Sequence, residues 1–331
     1  MSRVSLEAAT AYVARIFRDH GASAATAASV ARALVGAEAD GLKGHGLSRI
    51  PTYLGMLSSA KIRGDAVPTA RRIRAATLMV DAADGFAYPA IDLAVAELPA
   101  IARETGIAAA AITRSNHAGA LGHHVERLAE QGFITLFFAN TPEAIAPAGG
   151  TRAVYGTNPI AFAAPLPGRP PIVVDLALST VARGNIVAAK QKGEPIPEGW
   201  ALDADGRSTT DAGAALKGTM VALGGAKGTA LALMVEVLAA ALTGAHLSLE
   251  ASSFLDEKGP PPGTGQTILA VDPAGFGHDA FGARMTALAA AIETQPGARL
   301  PGQRRLALRA AAASGGIVVP DDLVARFGAI G

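Results

Sequence analysis

His45 stands between Gly44 and Gly46, and Arg49 follows four residues later, just ahead of an apolar stretch suited to a helix. An imidazole titrates near neutrality and can give or take a proton during a reaction. The flanking glycines let the backbone bend and let a small molecule come close, while a guanidinium offers two parallel donors to a carboxylate. This spacing suggests proton transfer on an anchored acid.

Four further clusters could take part. Ser115-Asn116-His117-Ala118-Gly119-Ala120-Leu121-Gly122-His123-His124 follows an expected strand and enters an expected helix, a turn whose free amides suit phosphate or another anion. Its histidines have no Cys, Asp or Glu at a zinc-ligand spacing, so no metal is expected, and His123 and His124 read as surface helix positions. Pro147-Ala148-Gly149-Gly150 and Gly156-Thr157-Asn158-Pro159 mark turns, with Thr157 and Asn158 placed to offer polar groups to a cleft. Asp175 closes the apolar run Val173-Val174-Asp175-Leu176-Ala177, at a strand end where α/β proteins bind ligands. Its expected partner is a ribose hydroxyl or a backbone amide. Gly224-Gly225-Ala226-Lys227-Gly228 sets a cation at the start of a long apolar helix, as a phosphate contact or a solvated lysine.

The elements that must position these groups can be read from periodicity. Leu6, Ala9, Val13, Ile16 and Phe17 recur at helical spacing up to Gly21, and residues 25–40 repeat the pattern with Val30, Leu34 and Val35 inward. Ser48 is the expected N-cap of a third helix with Pro51 in its first turn, which sets His45 just before a helix N-terminus. Beyond residue 75 strands are expected at 77–81, 107–113, 133–139, 160–164, 172–176 and 267–271. Helices are expected at 90–104, 121–130, 228–245, 280–293 and 304–313, which makes an α/β body. The 228–245 helix carries Glu236 in its middle and reads as a core helix packed on both sides, not a membrane span.

Composition narrows the class. In 331 residues, 50% are hydrophobic and 17% charged, which suits a compact enzyme of two or three subdomains. A net charge of +1 gives no electrostatic footprint for nucleic acid or an anionic membrane. Cysteine is absent, which excludes disulfides and thiolate chemistry. No apolar leader opens the chain, so a cytoplasmic location is expected. No Gly-x-Gly-x-x-Gly joins a strand to a helix, so a dinucleotide would have to bind a fold other than the Rossmann type.

Taken in order, the five clusters resemble the malate/L-lactate dehydrogenase family that is distinct from the Rossmann-type enzymes. The likeness runs from about Glu38 to Gln303, and includes Lys192-Gly193-Glu194-Pro195-Ile196-Pro197-Glu198-Gly199-Trp200 and Asp205-Gly206-Arg207-Ser208-Thr209-Thr210-Asp211. It implies a non-Rossmann NAD(P)-binding α/β fold with a helical N-terminal subdomain (1–74, joined by 304–331), an α/β subdomain (75–120 with 260–303) and a cofactor-binding subdomain (121–259). A homodimer is implied too, as is NAD(P)H-dependent hydride transfer at C2 of a small 2-oxo acid, or alternatively of a cyclic imine acid such as Δ1-pyrroline-2-carboxylate. Residue by residue, the resemblance makes His45 the proton donor, and Arg49 and Thr157 substrate contacts. The cofactor positions would be His117, Ala118, Gly119, Ala120, Leu121, Asp175, Leu176, Ala177, Lys227, Gly228 and Gly302. Two family helpers of the histidine differ here, a serine replaced by Gly44 and an aspartate replaced by Asn185.

Overall fold

Ser5 and Ser23 each accept a hydrogen bond from an amide three residues on, Ala8 and Thr26, and so start α1 (Leu6–Asp19) and α2 (Ala24–Ala39). A short strand, β1 (Ser2–Val4), precedes them in this computed structural model, which describes residues 2–277 and 279–330. Two 3-10 turns, Lys43–His45 and Leu47–Arg49, lead into α3 (Ile50–Ser58), with Pro51 in its first turn as expected. Ser48 does not cap α3. The chain has already turned tightly there, so its hydroxyl donates to the Lys43 carbonyl (2.6 Å), and Arg49 is the residue that precedes the helix.

The body follows as β2 (Thr69–Arg74), β3 (Thr77–Asp81), α4 (Ala87–Thr105), β4 (Ile107–Ser115), α5 (Leu121–Ala129), β5 (Ile134–Ala139), β6 (Ile160–Leu166) and β7 (Arg169–Leu176). A small appended lobe holds α6 (Arg183–Lys192), β8 (Ala201–Leu202), α7 (Ala212–Ala215) and β9 (Thr219–Met220). After α8 (Ala226–Glu236) come β10 (Thr264–Val271), α9 (Phe281–Glu293), α10 (Gln303–Gly315), β11 (Ile317–Val319) and α11 (Asp321–Phe327). Among the described residues the main sheet has seven strands in the order β2-β3-β4-β10-β5-β6-β7. Of its neighbouring pairs only β3 with β4 is parallel, whereas a doubly wound dinucleotide sheet is mostly parallel. The expected α/β class holds. Residues 69–74, assigned above to the helical subdomain, form β2 instead; all six are exposed, so they show none of the alternation that marks a half-buried strand.

Successive strand residues point to opposite faces of the sheet, and the two cores follow from that. Phe137 packs with Ile91, Leu98 and Val125 of α4 and α5, while Phe138 packs with Ala232, Val235 and Ala239 on the other face. A third core joins Val13, Phe17, Leu34 and Tyr53 to Ala312, Ile317, Val319 and Leu323, and β1 pairs with β11, so the two chain ends share one helical lobe. Each large side chain buried in this way contributes about 1.5–3 kcal/mol.

The helix expected at 228–245 is shorter and less buried than its composition suggests. It starts at Ala226, gives way to a π turn at Val237–Ala241, and leaves Leu231, Leu233, Met234, Val237 and Leu242 at 41–62% exposure. Carbonyls loosened by the π turn are taken up by side chains. Thr267 donates to Leu238 and Thr243 to Ala239 and Ala240. Alanine and leucine fit a helix packed on one side as readily as on both, and sequence does not distinguish the cases.

Candidate active site

Strand register lines the candidate groups along one edge of the sheet. The end of β4 (Ser115) faces the start of β10 (Thr264), Gln266 pairs with Ala139 near the end of β5, and Ile160 opens β6 between Phe138 and Leu176. Asn116 and His117, Thr141, Thr157, and Asp175 to Ala177 therefore leave neighbouring strands at the same edge, spaced by about 4.8 Å per strand. Backbone bonds extend the row. Leu178 N donates to Thr157 O and Leu223 N to Leu178 O, which brings the Gly224-Gly225 turn and the exposed Lys227 beside the end of β7. A β-carbon at Gly228 would lie 2.0 Å from the Leu223 carbonyl, so that close turn requires glycine.

His45 reaches this edge from the helical lobe. Its ring stacks on that of His117, with centroids 5.2 Å apart and planes 12° from parallel. The Nδ1 atom of His45 is buried and has no hydrogen-bond partner among the described residues. Burial first, then the Arg49 guanidinium and His123, push this imidazole down to about 4, so it is neutral near pH 7. His117 Nδ1 lies 2.6 Å from the Tyr53 hydroxyl, which in turn lies 3.0 Å from that of Tyr88; burial drives His117 well below its ordinary range. Arg49 donates through Nε to Gly44 O (2.7 Å) and through Nη1 to Phe254 O (3.4 Å), and meets no carboxylate among the described residues. The guanidinium is aimed and left uncompensated.

Gly46 is fixed by contact. A β-carbon there would lie 2.3 Å from Glu38 Oε2, the same oxygen that accepts the Leu47 amide (3.1 Å). Gly119 is fixed as well, with φ +68° and the Tyr88 hydroxyl 2.6 Å from where a β-carbon would sit. Ala118, Ala120 and Leu121 are buried around it.

A cleft of about 450 Å³ opens between the start of α5, the end of β7 and the start of α10, lined by Gly122, His123, Asp175, Gly302, Arg299 and Arg304. Asp175 has the backbone partner expected of it: Gly122 N donates to its Oδ2 at 2.7 Å. Gly302 takes φ +87° where α10 begins, with Val173 O 3.3 Å from a would-be β-carbon. Arg299 and Arg304 are exposed and meet no carboxylate among the described residues. Glycines that let the backbone approach a ligand, a strand-end carboxylate and two uncommitted guanidiniums fit a dinucleotide with its ribose and phosphates.

The family model for malate/L-lactate dehydrogenase matches residues 4–327. The chain belongs to that family. It is 52% identical over 279 residues to a (2R)-3-sulfolactate dehydrogenase (NADP(+)) of Chromohalobacter salexigens, covering 84% of this chain and 83% of that one. To a Δ1-pyrroline-2-carboxylate/Δ1-piperideine-2-carboxylate reductase of Pseudomonas aeruginosa it is 40% identical over 326 residues, 98% of this chain and 97% of that one. Among solved structures, the Δ1-piperideine-2-carboxylate reductase from Pseudomonas syringae superposes with a TM-score of 0.93 at 38% identity, covering 99% of each chain. Sulfolactate dehydrogenase from Methanocaldococcus jannaschii gives 0.89 at 27% identity, with 98% and 95% covered. As a member of this family the protein is an oxidoreductase.

In this malate/L-lactate dehydrogenase family member, the groups that hold the site are mostly ones the motifs did not announce. His123 and His124, read above as surface positions, are not. His123 Nε2 lies 2.7 Å from Asp40 Oδ2, and His124 is 5% exposed with Nε2 donating to Ala118 O (3.0 Å). His123 thus faces the end of α2, while the His124 ring lies against Tyr88 of α4 and Phe137 of β5, placements that two adjacent polar-looking residues conceal. Asp40 ends α2 and accepts from Arg305 and Arg309 as well; both arginines also bond Glu126. Burial pushes the Asp40 carboxyl up, but Arg309 and His123 override it and hold it well below the usual range. Thr157 shares its place with Thr141, whose hydroxyl accepts the Thr157 amide (2.9 Å) and lies 3.3 Å from its hydroxyl. Glu236 proves to be structural: buried beside the turn, it accepts from Asn158, from the Ser248 amide and from the Ser248 hydroxyl, and so fixes Asn158 at φ +37°. No hydrogen bond joins Thr157 to His45 or Arg49 among the described residues. No three His, Asp or Glu side chains gather as metal ligands among the described residues.

Proposed function

We propose that this oxidoreductase interconverts a small 2-oxo acid and its 2-hydroxy acid with NADP(H), with His45 moving the proton. The observation that carries it is Arg49, aimed by two backbone carbonyls and free of any carboxylate among the described residues, beside a histidine with an unpartnered buried nitrogen. Arg49 holds the C1 carboxylate, and Thr157 with Thr141 lies against the remainder of the acid. Bound nicotinamide supplies the hydride exchanged at C2. His45 takes the hydroxyl proton when the hydroxy acid is oxidised and returns it to the C2 oxygen when the oxo acid is reduced. A carboxylate on Arg49 offsets one of the charges that hold His45 neutral, so binding of the acid itself favours the protonated form needed for reduction.

The cofactor is held by His117 to Leu121, Asp175 to Ala177, Lys227, Gly228 and the Gly302 turn. Arg299 and Arg304 beside Asp175 favour the 2′-phosphate of NADP(H) over the bare ribose of NAD(H). The 52% identical relative is named for NADP(+), and for the sulfolactate whose oxo partner is sulfopyruvate. A second reading, reduction of a cyclic imine acid, is favoured by the neutral His45: such a substrate can arrive already protonated on nitrogen and ask less of a general acid. NADPH and NADH oxidation with sulfopyruvate, oxaloacetate, pyruvate and Δ1-pyrroline-2-carboxylate separates the two. Turnover of the imine alone would sink the oxo-acid reading.

The apolar face of α8 and the π turn after it, with Leu231, Leu233, Met234 and Val237 outward, supports a homodimer, to be read by light scattering as twice 33.2 kDa. We place the work in the cytoplasm, where reduced nicotinamide cofactors are held. Among the described residues no helix is long and apolar enough to cross a membrane.

A further inference from the structure

Lys61 lies just beyond α3, the helix that Arg49 leads into, and its side chain is wholly withdrawn from solvent. Its Nζ donates to the carbonyls of Ser253 (2.7 Å), Asp256 (3.0 Å) and Lys258 (2.6 Å), with Asp256 Oδ1 3.7 Å away. An ammonium has three protons, and all three are spent on one short segment, residues 253–258, in the connection that enters β10. Burying a charge against neutral carbonyls is costly, and burial does push this ammonium down while Asp256 opposes the shift. The segment is otherwise closed on itself, Leu255 N donating to Ser253 Oγ and Lys258 N to Asp256 Oδ1. Its one inward side chain is Phe254, 8% exposed, whose ring meets His117 edge-on at 5.4 Å and whose carbonyl receives Arg49 Nη1.

We propose that Lys61 is a clasp that sets residues 253–258 and, through Phe254, the aim of Arg49 and the plane of His117. It is a positioning residue, acting on the carboxylate anchor without touching substrate, and the inference rests on Arg49 being that anchor. A protonated amine suits the place because its three N–H donors match three carbonyl oxygens, so the cage left by its removal should accept a small ammonium ion.

The test uses the whole enzyme with Lys61→Met, which keeps length and loses charge, and Lys61→Ala, which leaves the cage empty. Amides 253–258 should exchange hydrogen at least about tenfold faster in Lys61→Met. The KM for the acid should rise about tenfold while that for the cofactor stays within about twofold. In Lys61→Ala, added methylammonium should recover much of the lost KM while tetramethylammonium, which has no N–H, should not. Unchanged exchange would overturn the clasp. Faster exchange with an unmoved KM for the acid, or acid and cofactor constants rising together with no recovery by methylammonium, would overturn its positioning role. Arg49→Ala measured alongside separates the two assignments: if it also leaves the acid KM unmoved, the carboxylate anchor is what fails.

Discussion

The two sides of the site are held by different means. On the sheet side, His117 follows the end of β4, Thr157 precedes the start of β6 and Asp175 lies near the end of β7, so strand register sets their spacing and side-chain bonds such as that of Thr141 to the Thr157 amide add to it. On the lobe side, His45 and Arg49 ride on two 3-10 turns without a sheet behind them, and a few side chains fix the segment: Glu38 on the Leu47 amide, and Asp40 on Arg305, Arg309 and His123. Backbone ladders spread a constraint over many bonds, whereas the lobe concentrates it in a few buried charges. His45, the proposed proton-moving group, therefore stands on the side where single substitutions should matter most.

The sharpest break is at His45 itself. His45→Ala should lower kcat by about 10²–10⁴-fold, since that is the range supplied by a placed general acid or base. Cofactor affinity, which the proposal places on the sheet side, should be nearly kept; a rate close to that of the unaltered enzyme would remove His45 from the role.

Holding charges on the two sides can be compared directly. Asp40→Asn takes the charge from a fully buried carboxylate and leaves the part-buried Arg305 and Arg309 short of a partner, which should cost about 3–5 kcal/mol in denaturant unfolding. Glu236→Gln on the sheet side keeps the shape but turns an N–H toward groups that already donate, at about 1–3 kcal/mol. Equal costs would mean that the lobe is no more dependent on its charges than the sheet edge.

Acid should test the buried histidines before it tests the arginine-paired carboxylates. His45 and His124 are each held down to about 4 by burial. Unfolded, they would protonate near 6.5, so their stability is fully present above about pH 6.5 and is lost as pH falls toward 4, about 3 kcal/mol each at most. Asp40 and Glu126 are buried too, yet their arginine partners hold both carboxyls below the ordinary range. The stability they contribute is therefore lost only below about pH 4. Unfolding followed from pH 7 to 4.5 should show the first loss, offset in part by Glu38 and Asp175, whose carboxyls burial pushes up, and His124→Phe should flatten it; a profile that His124→Phe leaves unmoved would contradict the buried neutral His124.

What could be read from sequence follows the same division. Strands β3, β4, β5, β6 and β7 were legible because their apolar runs meet a core, and the placing of His45 in a turn and of Asp175 near a strand end because glycines and an apolar run mark them. The family itself was legible from the order of the motifs. Exposed β2 gave no periodic signal, and the placing of His123 depends on Asp40, 83 residues away in sequence, and that of His124 on the rings of Tyr88 and Phe137. Arg299, Arg304 and Lys61 are ordinary surface-type residues until the fold puts them in a cleft or a cage. Long-range charge pairing has no local pattern, which is why the lobe side was the less legible.

The smallest expected effect is also the most direct probe of His45's missing helper. Gly44 has open space around it, with no atom within 4 Å of a β-carbon, and its φ lies outside the left-handed range, so serine fits without strain. Stability should move by no more than about 0.5 kcal/mol. A hydroxyl restored beside the imidazole would give it a hydrogen-bond partner where Nδ1 now has none among the described residues. Gly44→Ser should then raise kcat for oxo-acid reduction by about two- to tenfold and move the pH profile upward, because a partner that favours the charged imidazole raises its pKa. Reduction of a substrate that brings its own proton should not respond. If neither rate nor profile moves for an oxo acid, water or the substrate serves His45, and the lobe needs no second proton-handling group.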